Sequence, residues 1–164
     1  MMQYKKLLVY SFIVILIFVL DRLSKLYILN LAETSSSVDI YINSFLNLYL
    51  IWNKGIAFGI LSFEESFIYN LITILIVIIN LIIIFMIIKS KDYKVYFWIS
   101  ILGGSFGNLF DRIYYSAVPD FIDFHINNFH WFVFNVADIF ISTGVICLIF
   151  DEIFFNNRKT TNEL

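Results

Sequence analysis

A hydrocarbon core about 30 Å thick takes roughly 20 helical residues to cross, and this sequence carries four apolar runs near that length. They cover about 7–29, 67–88, 95–112 and 132–155. In lipid a backbone must satisfy its own hydrogen bonds, so each run is expected to be a helix. A hydrophobic content of 60% and a mean hydropathy of +0.85 agree that water is not the main solvent. The expected fold is an all-α membrane protein with one integral domain over 1–164, a four-transmembrane-helix bundle carrying a small extracytoplasmic β element.

The third run is the shortest and contains Gly103, Gly104 and Gly107, which favours an interior place where neighbouring helices approach closely. The N-terminal run superficially looks like a secretory signal behind Lys5 and Lys6. It lacks a small-residue cleavage site and continues through Asp21-Arg22 to Leu29, so it reads as a retained membrane helix.

Orientation follows from the basic residues. Lys5 and Lys6 precede the first run, Lys89, Lys91 and Lys94 fill the link between the second and third, and Arg158 and Lys159 follow the fourth. Both termini are therefore expected in the cytoplasm, with extracytoplasmic segments at about 30–66 and 113–131. In the first segment Val38 to Ile42 alternates apolar and polar residues and Leu46 to Trp52 is rich in strand formers, which predicts the β element. The second segment reads as a loop joining helices three and four.

A net charge of −2 with scattered charges gives no reason to expect nucleic acid as a partner. Cys147 is the one cysteine, so no intrachain disulfide or Cys-pair metal site can form. His125 and His130 lie among asparagines and aromatics with no metal-ligand spacing, so no metal is expected.

Carboxylates at membrane depth cost about 2.5–3.5 kcal/mol even on lenient scales, so Asp21, Asp111 and Asp138 each need a partner or a function. Asp21 and Lys25 lie one turn apart on one helical face, which suits a structural ion pair. Asp120 sits in the segment that must return to the start of the fourth helix near Asp138, so the two carboxylates can meet at the outer surface. Such a pair would share a proton and supply an acid and a base together. Simple pairing of Asp138 with Arg112 or Lys25 is the competing reading, as is an ion or proton pathway through the intramembrane carboxylates. A structural protein without chemistry is a third.

The motifs together resemble the lipoprotein signal peptidase family, also called signal peptidase II. Asp21-Arg22-Leu23-Ser24-Lys25 is similar to its first-helix block, and Asn53-Lys54-Gly55-Ile56-Ala57-Phe58-Gly59 to its Asn-x-Gly-x-Ala-Phe block. Gly107-Asn108-Leu109-Phe110-Asp111-Arg112 resembles the Gly-Asn-x-x-Asp-Arg block. Asp120-Phe121-Ile122-Asp123 and Phe134-Asn135-Val136-Ala137-Asp138 resemble the two blocks that hold catalytic aspartates. The resemblance implies an aspartic endopeptidase with Asp120 and Asp138 as the catalytic dyad. Asn53, Gly55, Asn108, Arg112 and Asn135 would then contact substrate, and Asp21, Lys25 and Asp111 would support the site. Asp123 is the rival to Asp120.

It also implies the substrate, a bacterial prolipoprotein cut just before a diacylglyceryl-modified cysteine, and a monomeric, multi-pass enzyme among the lipids of the cytoplasmic (inner) membrane. The active site would lie near the outer face, and the mechanism calls for no cofactor. Two positions depart from the family pattern. Ser116 stands where a glycine is frequent, and Pro119 directly precedes Asp120, fixing its own φ and restricting Val118.

Overall fold

The structure, a computed structural model, describes residues 2–35, 37–55, 66–126 and 129–156. Among them the chain forms α1 (Met2–Ser35), β1 (Asp39–Asn43), β2 (Leu46–Asn53), α2 (Ser66–Lys89), α3 (Lys94–Tyr115), β3 (Val118–Ile126), β4 (Phe129–Phe134) and α4 (Val136–Asp151). A short π-helical turn, Glu152–Asn156, extends α4. Ile56 to Gly59 of the second motif, Arg158 and Lys159 lie outside the described residues.

Two helices, α1 and α2, are long and apolar enough to cross a bilayer, and only 11% and 17% of their most apolar windows are buried. The core helix of a water-soluble protein would show the opposite. On α1 the buried residues are Ile17, Asp21, Arg22, Lys25 and Ile28, a single stripe at helical spacing. Its polar members face inward, while Leu7, Phe12, Ile15 and Leu23 face outward. This helix is inside out relative to a soluble one.

The third helix packs on all the others, as its glycines led one to expect. A Cβ at Gly104 would overlap the Ala137 carbonyl of α4, so the two backbones touch there. At Gly107 the neighbour is the Asp21 carboxylate of α1, which passes α3 only because no side chain stands in its way. At the end of α3 and α4 away from the sheet, Lys94 Nζ meets Asp151 Oδ2 at 2.6 Å and the Tyr93 hydroxyl also donates to Asp151.

The strands form one antiparallel sheet in the order β1-β2-β3-β4. The first two fall where the alternation of Val38 to Ile42 and the strand formers of Leu46 to Trp52 place them, whereas β3 and β4 correct the loop reading of 113–131. They also correct the fourth run, because Phe129–Phe134 is a strand and helix begins only at Val136. Aromatic and β-branched residues are as apolar in a strand as in a membrane helix, so hydropathy alone merges the two. The first helix extends beyond 7–29 at both ends and the third beyond 112, to Tyr115.

Helix α3 stops at Ser116, whose φ of 56° lies in the left-handed region that glycine occupies freely. Here the chain departs from the glycine that the resemblance led one to expect. Pro119 lies beyond the last β3–β4 pair, Ile122 with Phe134, so its missing N–H leaves no gap in that ladder.

Candidate active site

Most of the buried polar side chains among the described residues collect where α1, α3, the start of α4 and strands β2 and β3 meet. Asp21, Lys25, Asp111 and Asn135 are fully buried, and Asp120, Asp138, Asn53 and Arg112 nearly so. Burying this many charges is tolerable only when each finds partners.

Lys25 anchors the group. Its ammonium donates to Asp21 Oδ2 at 2.8 Å, Asp111 Oδ2 at 2.7 Å and Asn108 Oδ1 at 2.9 Å, one acceptor for each proton. Arg22 approaches Asp111 Oδ1 at 2.6 Å and stands over the Phe110 ring. Two cations thus balance two carboxylates. The expected Asp21–Lys25 pair exists as part of this larger network, with Asp111 included.

The network reaches α4 by two routes. Asp21 Oδ1 accepts from the Ala137 N–H at 3.0 Å, satisfying a donor of the first helical turn. Asn108, oriented by Lys25 at its oxygen, donates through Nδ2 to Asp138 Oδ1 at 2.8 Å. Asp138 therefore pairs with neither Arg112 nor Lys25 directly. It also closes a capping box with Asn135: Asn135 N donates to Asp138 Oδ2 at 3.1 Å, and Asp138 N donates to Asn135 Oδ1 at 3.2 Å.

Asn135 joins the two carboxylates. Its Nδ2 donates to Asp120 Oδ1 at 2.6 Å while its backbone holds Asp138, so residues distant in sequence are gripped by one side chain and its own N–H. Asn53 Nδ2 holds the other oxygen of Asp120 at 2.9 Å. Burial, and after it the charge of Asp138, push the Asp120 carboxyl from its ordinary 3.8 up to about 7, against the lowering effect of its bonds from Asn53 and Asn135.

Asn53 Oδ1 accepts from the Gly55 N–H at 2.8 Å, and the Gly55 carbonyl accepts from the Arg112 guanidinium. Arg112 in turn lies over the Tyr69 ring, whose hydroxyl donates to the Arg112 carbonyl at 2.9 Å. Tyr69 was missed in the sequence, where it is one aromatic in an apolar run and nothing in its spacing ties it to α3.

Every residue expected in the site is brought into this cluster. Asp123 is not. It lies three positions from Asp120 on one strand, an odd spacing that turns the two side chains to opposite faces. Its oxygens instead lie 2.8 and 3.0 Å from His130 Nδ1.

A family model described as signal peptidase (SPase) II matches residues 13–154. The chain is 62% identical over 151 residues to the lipoprotein signal peptidase of Pelagibacter ubique (strain HTCC1062), with 92% of this chain and 91% of that one covered. Its identity to the lipoprotein signal peptidase of Francisella tularensis subsp. novicida (strain U112) is 37% over 154 residues, covering 92% and 94%. Among solved structures, a bacterial membrane enzyme determined by the in meso method at 2.3 Å resolution superposes with a TM-score of 0.71 at 25% identity, covering 95% of this chain and 92% of that one. With motif blocks, buried cluster and relatives in agreement along nearly the whole length, the chain belongs to the signal peptidase II family and is a membrane peptidase that processes the signal peptides of prolipoproteins.

Proposed function

We propose that the protein is an intramembrane aspartic endopeptidase in which Asp120 and Asp138 share one proton and activate water. The observation that carries this reading is the grip of Asn135 on both carboxylates, together with an Asp120 carboxyl pushed up to about 7 by burial and by the charge of Asp138. Asp120 is the protonated member and hydrogen-bonds the scissile carbonyl oxygen. Asp138, held by Asn108 and Asn135, is ionised and takes a proton from water as its oxygen bonds to the carbonyl carbon. The tetrahedral intermediate then loses its C–N bond as the leaving nitrogen takes a proton from the dyad, which returns to its one-proton state. Neither a covalent intermediate nor a cofactor is required.

By this reading Asn53, Gly55 and Arg112 shape the substrate cleft, while Asn108 and Asn135 hold the carboxylates and the substrate backbone. Asp21, Lys25 and Asp111 support the site. All four helices of one integral domain cross the cytoplasmic (inner) membrane of a bacterium, both termini are cytoplasmic, and the sheet and dyad lie at the outer face. The outward apolar faces of α1 and α2 suit that placement. The substrate is a prolipoprotein with a diacylglyceryl-cysteine, cut just before that residue by a monomer surrounded by lipid.

The test is incubation of purified protein in lipid nanodiscs with lipidated and unlipidated prolipoprotein, the products being weighed by mass spectrometry. Cleavage only of the lipidated form, just before the cysteine, is expected. Asp120→Asn and Asp138→Asn should each lower turnover by about 10³-fold or more without loss of folded protein. Full turnover in either variant would refute the dyad.

A further inference from the structure

On the sheet, away from the carboxylate pair, strand β3 buries Asp123 and His125 while Phe124 and Ile126 are exposed, which puts the first two on one face. Strand β4 sets His130 opposite His125 in the register. One ligand atom from each of the three residues falls within 4.8 Å of the other two. The sequence gives no hint of this, because the grouping depends on strand pairing and on the irregularity between Phe124 and His125 rather than on linear spacing.

A second observation is independent of the clustering. His125 is only 7% exposed, and its Nδ1 has no hydrogen-bond partner among the described residues. Leaving a buried polar nitrogen without a partner is costly, so this atom calls for a ligand. It points toward Asp123, whose Oδ2 stands 3.6 Å away, too far for a hydrogen bond. Two donors each about 2.1 Å from a tetrahedral zinc ion lie roughly 3.4 Å apart, close to that separation. The closer His130 Nδ1 to Asp123 contact, 2.8 Å, is a hydrogen bond that would open by about 0.6 Å to admit an ion between the donors.

We infer that Asp123, His125 and His130 form a binding site for a divalent transition metal of the zinc type, distinct from the catalytic carboxylates. Two imidazoles and a carboxylate are a donor set that zinc accepts, with the fourth position left to water. Entry is through His130, whose side chain is 57% exposed, while Asp123 and His125 are buried beneath it. Bound there, the ion cross-links β3 to β4 and stiffens the strand that also carries Asp120. Its role is to brace the hairpin, and the peptidase chemistry does not pass through it.

The test uses tag-free, full-length protein in detergent, stripped with a chelator and titrated with zinc chloride in a calorimeter and with cobalt chloride in a spectrophotometer. One zinc ion per chain is expected to bind with a Kd of about 10 µM or tighter, and cobalt should give visible absorption bands. His130→Gln, at an exposed side chain, keeps the fold and should weaken zinc binding about 10- to 100-fold, as should His125→Gln. Zinc should raise the thermal midpoint of the wild type and leave that of His130→Gln unmoved. Absence of saturable zinc binding by the wild type overturns the inference. So does binding that persists unchanged in His130→Gln.

Discussion

Replacing Asp120 by asparagine should change how stability depends on pH, in a direction opposite to the effect of removing a salt-bridged carboxylate. Wild-type Asp120 titrates near 3.8 when unfolded and near 7 when folded. The raised folded value means the native state holds the proton more tightly. Stability owed to this proton is fully present below 3.8, declines as pH rises, and is gone once pH passes about 7. That interval corresponds to about 4 kcal/mol. Asparagine has no such dependence, but it has one acceptor oxygen for the two amide donors of Asn53 and Asn135, so one contact is lost at about 1–3 kcal/mol. Asp120→Asn should therefore be less stable than wild type by about 1–3 kcal/mol near pH 4 and more stable by a similar amount near pH 8. Denaturant unfolding in detergent micelles across that range reads the difference, and groups that are not coupled to Asp120 cancel in the comparison. Parallel profiles for the two proteins would refute the reasoning.

Two further substitutions probe the supports of the site. Lys25→Met leaves Asp21 and Asp111 buried with a shared cation missing and should cost about 3–5 kcal/mol in the same unfolding assay, with partial recovery when Asp111→Asn is added. Ser116→Gly relieves a left-handed residue at the end of α3 and should stabilise by roughly 0.5–1 kcal/mol, read as a higher unfolding midpoint with turnover unchanged.

How much of this was legible in the sequence depends on whether the signal is local. Helix α2 falls within a residue of its expected bounds, since an unbroken apolar run has one reading. Strand β1 follows from alternation and β2 from its run of strand-forming residues. The boundary between β4 and α4 was lost because apolar residues dominate Phe132 to Phe150, although Asn135 followed three positions later by Asp138 is a helix-start signature. The same two residues serve chemistry and capping, and reading them for the first hid the second.

The convergence of Asp120 and Asp138 could be argued from topology, because the intervening chain must return to α4. What could not be read was how they are held. The link from Lys25 through Asn108 to Asp138 joins residues 83 and 30 positions apart, and the contact of Tyr69 with Arg112 spans 43. Such pairs exist only once helices pack. Arg112 illustrates the same point: its guanidinium bonds the Gly55 carbonyl and so braces the segment carrying Asn53, a role its sequence neighbours do not suggest.

The claim on which the catalytic account depends is that the Asp120–Asp138 pair keeps one proton up to about pH 7. Infrared difference spectroscopy of the carboxyl C=O stretch, recorded from about pH 5 to about pH 9, measures it directly. The account predicts a protonated-carboxyl band that disappears with a midpoint near 7, is absent from Asp120→Asn, and shifts to lower pH in Asp138→Asn, where the neighbouring charge is gone. A pair already fully ionised at the acid end of that range, or a midpoint indifferent to Asp138→Asn, would contradict it.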